Sequence, residues 1–301
     1  MMRSLYSAIS GLKNHQTYMD VIGNNISNVN TPGYKKNRVT FATMLGQNIR
    51  AASRPDQNEN AAFGGTNGIQ IGLGASLGSV DQLMTQGSAQ YTGKDTDMMI
   101  DGKGMFILKI SGEEMYSRTG NFSFDESGYL VEPSTGAILQ GYAAENYYDE
   151  DSGWDEIESD DELVNIQFYI GQELADDADY KLTGYSIDKT GVIIGEYSNN
   201  EETISRPIYR IALANFNNES GLIPGGNNFY HQSSNSGEPD RGYAADGGRG
   251  WILPNNLEMS NVDLSQEFTD MIVAQRGFQA NSRVITVSDT LLQELIDLKR
   301  N

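Results

Sequence analysis

The glycines of Gly72-Leu73-Gly74-Ala75-Ser76-Leu77-Gly78 come close to the spacing with which a dinucleotide-binding turn lets backbone amides approach a pyrophosphate. Leu77 occupies the position of the third glycine, and neither a βαβ unit nor a following helix is evident, so the segment reads as a strand and a turn. Gly87 and Gly93-Lys94 fall short of a phosphate loop, because five residues separate the glycines and Asp95 stands where a hydroxyl residue is needed for the metal. The run 147–156, Tyr-Tyr-Asp-Glu-Asp-Ser-Gly-Trp-Asp-Glu, holds the materials of a glycosidase or a Ca²⁺ loop. It lacks the Asp-x-Asp-x-Asp-Gly order of an EF-hand, and a charge block is a poor scaffold for two carboxyls at fixed separation, so it reads as a solvated loop. His15 and His231 are the only histidines and there is no cysteine, which excludes thiolate chemistry, Cys-based metal sites and a multi-histidine centre. No Gly-x-Ser-x-Gly elbow or Ser/His/Asp set is present. The expectation is no enzyme, no cofactor and no metal.

The elements that must position these residues carry a clearer signal. The chain has 301 residues and a formal charge of −20, and the 35 residues 145–179 contribute 14 carboxylates with no Lys or Arg. Residues 1–50 carry six Lys/Arg against one Asp. The global excess argues against a nucleic-acid partner, since phosphate binding needs a basic face. No apolar run approaches the ~18 residues of a membrane span, so no membrane insertion is expected. The first residues also lack the apolar core and cleavage site of a signal peptide.

Leu5, Leu12, Met19 and Ile26 recur seven apart, with Ala8, Ile22 and Val29 at intermediate positions. This is a helical stripe with coiled-coil spacing. It closes in Asn24, Asn25, Asn28 and Asn30, then Thr31-Pro32-Gly33; asparagine tolerates left-handed backbone, and Pro and Gly end a helix and turn the chain. At the other end Met271, Phe278, Ile285 and Leu292 fall seven apart, with Phe268, Leu295, Ile296 and Leu298 thickening the stripe. Asp263 or Ser260 is the candidate cap and Gln266 a capping-box partner, predicting a helix from about Leu264 to about Leu298. Gln275, Ser282 and Asp289 form a polar row beside the apolar one, either plain solvent surface or a register-setting, pore-facing surface. Neither helix buries enough alone to offset its chain entropy, so each needs the other terminus or another copy. Between residues 35 and 256, short apolar runs separated by Asp-Gly, Ser-Gly and Gly-Gly predict many antiparallel strands in a sandwich or barrel.

Ser7-Ala8-Ile9-Ser10-Gly11-Leu12 with Asn24-Asn25-Ile26-Ser27-Asn28-Val29-Asn30-Thr31-Pro32-Gly33-Tyr34-Lys35 resembles the N-terminal signature of the bacterial flagellar rod and hook proteins. Leu257-Glu258-Met259-Ser260-Asn261-Val262-Asp263-Leu264-Ser265 and Ala274-Gln275-Arg276-Gly277-Phe278-Gln279-Ala280-Asn281-Ser282-Arg283-Val284-Ile285 resemble their C-terminal signature. The middle is similar to their β domain at Ile100-Asp101-Gly102-Lys103-Gly104-Met105-Phe106, Tyr116-Ser117-Arg118-Thr119-Gly120-Asn121-Phe122 and Ala212-Leu213-Ala214-Asn215-Phe216. The wording of the ends, with Arg38-Val39-Thr40-Phe41, is closer to the hook members than to the distal rod members. Against that, many hook proteins insert a large outer domain after the strand ending near Gly141-Tyr142, where this chain has room only for the acidic segment and a few strands.

The resemblance implies an α+β fold. Residues 1–34 and 257–301 would form an inner, polymerising coiled-coil domain, and residues 35–256 a mainly antiparallel β-rich outer domain with an acidic insertion at 145–179. It implies a structural subunit of the hook, a helical tube that bends while transmitting torque from rod to filament; the alternative is a distal rod subunit. Its partners would be further copies of itself, the distal rod, hook cap and hook-filament junction proteins, and the flagellar type III export apparatus, placing it in the extracellular flagellum without a cleaved signal peptide. Leu5, Leu12, Met19, Ile22, Ile26, Phe268, Met271, Phe278, Ile285 and Leu292 would pack subunits. Asn24, Asn25, Asn28, Asn30, Gly33, Asn261, Asp263, Gln275, Arg276 and Asn281 carry the family motifs. The rival reading is an extracellular carbohydrate-active or cation-binding β protein that uses the acidic segment.

Overall fold

The computed structural model describes residues 2–54, 65–144, 148–149, 153–154, 162–173, 180–199 and 202–300. Most of the acidic segment 145–179, and with it most of the run 147–156, lies outside the described residues.

Two compact units divide the chain: one of residues 1–27, 37–82 and 263–301, the other of residues 28–36 and 83–262. The first holds helix α1 (Met2–Ser27) and helix α2 (Leu264–Arg300), the two helices expected from the ends. Asp263 caps α2: its Oδ1 accepts the amides of Ser265 at 2.8 Å and Gln266 at 3.3 Å, two of the donors that a helix start leaves without an intrahelical partner. The expected box does not close, because the Gln266 side chain turns forward to both carboxylate oxygens of Asp270 at 3.1 Å. The same unit contains an antiparallel ribbon of Asn37–Thr43 on Ala75–Gln82, continued by Gln47–Arg50 on Ile69–Ile71. The Gly72–Gly78 motif therefore lies at a strand start, with Gly74 at φ +125° immediately before it.

The second unit is built on a twelve-stranded sheet whose ladders are all antiparallel. From one edge to the other it runs Lys181–Ile187, Val192–Ser198, Thr203–Asn215, Ala137–Ala143, Met105–Ile110, Glu113–Ser117, Phe229–His231 and Ile223–Gly226, with shorter strands pairing off this path. The reason Met105-Phe106-Ile107-Leu108 reads as a continuous apolar run is now visible. Phe106 and Leu108 enter one buried cluster with Phe122, Leu139 and Ile211, while Met105 and Ile107 enter another with Tyr116, Tyr142 and Tyr243. Successive side chains point to opposite faces, so a strand covered on both sides is apolar throughout. Smaller ladders join Trp251–Pro254 to Met98–Asp101 and Asn256–Glu258 to Ala89–Tyr91.

Candidate assembly surface

In the first unit α1 and α2 pack against each other in opposite directions. A Cβ on Gly11 would meet Asn281 Nδ2 at 2.7 Å, a Cβ on Gly277 would collide with the imidazole of His15, and Asn25 Nδ2 donates to Glu267 Oε2 at 3.1 Å. Four residues forward on α1 match four backward on α2, and the next ten match ten, which fixes an antiparallel register. On α2 the residues turned inward are Glu267, Met271, Ala274, Phe278, Asn281, Ile285, Ser288 and Leu292, alternating steps of four and three. That is the 3.5-residue spacing of a helix seam. On α1 the counterparts include Leu5, Ala8, Leu12, His15, Met19, Ile22 and Ile26, with Ala8 and Ile22 the most buried.

The seam is thinner than its Leu and Ile positions suggest. Two glycines and the small residues Ala8, Ala274 and Ser288 let the backbones approach, and polar groups occupy part of the contact. Asn25 is central: its Oδ1 accepts Asn37 N–H at 3.0 Å and its Nδ2 donates to Asn37 C=O at 2.9 Å, so the side chain pairs with the ribbon as a peptide group would while also reaching Glu267. Tyr18 packs edge-on against Phe41 of the ribbon, ring centroids 5.9 Å apart. Burial, then the charges of Asp270 and Glu267, raise its phenol above the ordinary range. Asn24 and Asn30 are exposed and Asn28 half-buried; Asn28 C=O accepts Thr31 N–H at 3.2 Å in the turn after α1.

In the second unit Gly33 has φ +70°, and a Cβ there would meet Thr119 at 2.9 Å, so both conformation and space require glycine. Asn261 accepts Lys36 N–H at 2.8 Å and donates to Leu83 C=O at 2.8 Å and Thr85 Oγ1 at 2.9 Å.

What the helices leave uncovered is equally ordered. Phe268 is 51% exposed and lies with Leu264 and Ile272 on one flank of α2. Val273, Val284, Val287, Leu291, Leu295 and Leu298 recur at helical spacing on the other, with Leu298 75% exposed. Gln275, Arg276, Arg283 and Asp289 are exposed and Ser282 half-buried. Such apolar stripes on an amphipathic helix mark a surface that meets protein. Among the described residues no helix is long and apolar enough to cross a membrane, and no group of three or more His, Asp or Glu could hold a metal ion. Sequence reasoning missed the role of Gly11 and Gly277, although an isolated glycine inside a helical pattern is itself a signal of close packing. It also left the ribbon with the β region.

Three family models match the chain: "Flagella basal body rod protein" over residues 5–35, "Flagellar hook protein FlgE/F/G D1 domain" over 99–195, and "Flagellar basal body rod FlgEFG protein C-terminal" over 253–298. The flagellar basal-body rod protein FlgG of Bacillus subtilis (strain 168) is 42% identical over 301 aligned residues, covering 100% of both chains. The chain belongs to the flagellar rod and hook protein family. The flagellar hook protein FlgE of Borreliella burgdorferi is 32% identical over 448 aligned positions, covering 99% of this chain and 100% of that one. The hook protein FlgE of Treponema pallidum is 29% identical over 470 positions, covering 100% of both. Members of the family are structural components of the flagellum. The first match spans α1 and its asparagine turn, and the last spans the strands before α2 and nearly all of α2. The last of the three models thus covers the helix whose outer stripes are bare.

Proposed function

We propose that this chain is the hook subunit, polymerising into a helical tube that bends while carrying torque from rod to filament. The observation that carries the polymer reading is the exposed apolar surface of α2, which a single chain leaves in water. Burying one large apolar side chain is worth about 1.5–3 kcal/mol, so the stripe from Val273 to Leu298 offers ample driving force for contact between copies. In this reading the terminal helices, with the ribbon 37–82 packed on α1, form the inner coiled-coil layer, the β unit faces outward with the acidic segment 145–179 as solvated surface, and no catalysis is involved. Partners are further copies, the neighbouring axial proteins and the type III export apparatus, and the location is the extracellular flagellum.

Hook over rod is supported by the wording of the two end motifs, while the hook relatives, aligned over 448 and 470 positions, carry a long stretch that this 301-residue chain lacks. A rod subunit is the second reading, supported by the 42% identity along the full length of a rod protein. Imaging assemblies grown from the purified chain tests both. A curved tube accepting many copies is expected for the hook, a short straight segment means rod, and absence of any polymer under conditions that keep the monomer folded overturns the polymer reading itself.

A further inference from the structure

Within the second unit, Glu258 is the buried carboxylate of residues 256–262, which with residues 28–36 lead out to the helices. Its Oε1 accepts Lys35 Nζ at 2.6 Å and Gly87 N–H at 2.9 Å, and its Oε2, which makes no hydrogen bond, lies 3.5 Å from Arg118 Nη1. Its backbone C=O accepts Gly33 N–H at 2.7 Å. The side chains of Lys35, Glu258 and Arg118 are 1%, 0% and 5% exposed. Lys35 also donates to Thr85 C=O at 2.9 Å, and Arg118 to Ile100 C=O at 3.2 Å and Gly102 C=O at 2.5 Å. One carboxylate therefore serves two buried cations, one brought by the N-terminal segment and one by the sheet.

We propose that Glu258 with Lys35 and Arg118 is a latch that makes residues 28–36 and 256–262 dock and undock together. If the N-terminal segment lifts alone, Glu258 loses the cation at 2.6 Å. If the C-terminal segment lifts alone, Lys35 loses the same 2.6 Å pair and Gly33 N–H loses the Glu258 C=O. Either half-open state breaks the buried Lys35–Glu258 pair, which is costly, whereas undocking together lets that pair leave as one, so half-open states are depopulated; Arg118 stays on the sheet, bonded to Ile100 C=O and Gly102 C=O, and seats the docked pair. Lys36 and Asn261 repeat the coupling one step outward, through the 2.8 Å bond between segments. The connections to α1 and α2 are in this way held or released in step, whether the chain builds a hook or a rod.

Hydrogen exchange of the full-length chain, read by mass spectrometry on peptides, tests this. Lys35→Met lies in the N-terminal segment, yet the latch requires it to speed exchange in residues 256–262 at least ten-fold, together with residues 28–36. Exchange in Met105–Ile110 and Thr203–Asn215 should stay unchanged. Glu258→Gln, which keeps the shape and removes only the charge, should speed both segments in the same ratio, and it carries the test if Lys35→Met does not fold. Acceleration confined to residues 28–36 in Lys35→Met overturns the proposal. So does equal acceleration throughout the β unit, which would make the cluster a general stability element.

Discussion

Gly277 sits in the middle of α2, where alanine would ordinarily stabilise a helix by about 1 kcal/mol. Here the sign should reverse. A Cβ at that position collides with the His15 ring, and overpacking of this kind costs about 1–3 kcal/mol, so Gly277→Ala should lower the denaturation midpoint of the helical unit, followed by circular dichroism. Asn25→Ala should cost about 2–4 kcal/mol in the same assay, because Asn37 loses both backbone partners supplied by that side chain and Glu267 loses a donor. Tyr116 sets an alkaline limit. Burial, and then the charge of Glu114, push its phenol up to about 12, with Arg241 opposing. Below pH 10 the folded and unfolded chains both keep the proton; between about 10 and 12 only the unfolded chain ionises, so stability present below 10 is lost as pH rises through that window. The loss reaches about 1–1.5 kcal/mol by pH 11, and denaturant titrations at pH 9, 10 and 11 should show it flattened in Tyr116→Phe. Of these residues only Asn25 was singled out by sequence, and as a motif letter. Its work as a surrogate peptide group depends on Asn37 and Glu267, the latter 242 positions away.

Elements were the most legible level. The seven-residue recurrence of Met271, Phe278, Ile285 and Leu292 announced α2, and each of the four is half-buried on its inner side. Spacing of this kind is local, written within one or two turns, and therefore survives without knowledge of the partner. The cap at Asp263 was legible for the same reason, and Asp263→Ala should cost about 1 kcal/mol, seen as fraying of the first turn of α2 by amide exchange. The ribbon at 37–82 was not legible as part of the helical unit. Its alternating residues identify strands, but strand patterning carries no information about which neighbour covers them, and Tyr18 on Phe41 is a contact between different elements. Phe268 likewise belongs to the helix by spacing, yet in the single chain it faces outward.

For the whole molecule, the outer stripe of α2 should decide assembly and leave the monomer's fold intact. Replacing Val287, Leu291 and Leu295 by serine removes exposed side chains that touch water in the free chain. Each substitution should raise the critical concentration for polymerisation roughly ten- to hundred-fold if the side chain is buried between copies, with the circular dichroism spectrum unchanged; sedimentation of the polymer measures it. By itself the sequence determined that two amphipathic helices flank an antiparallel β centre, that the charge is concentrated between residues 145 and 179, and that the ends carry the motifs of the flagellar rod and hook family. Periodicity, turn residues and motif order are properties of neighbouring positions. Only the tertiary structure decided that α1 and α2 run antiparallel on a seam of glycine, alanine and asparagine, and that Lys35 finds Glu258 across 223 residues of chain. Which buried charge meets which is settled by desolvation, since each must be neutralised wherever the packing of the whole unit places it.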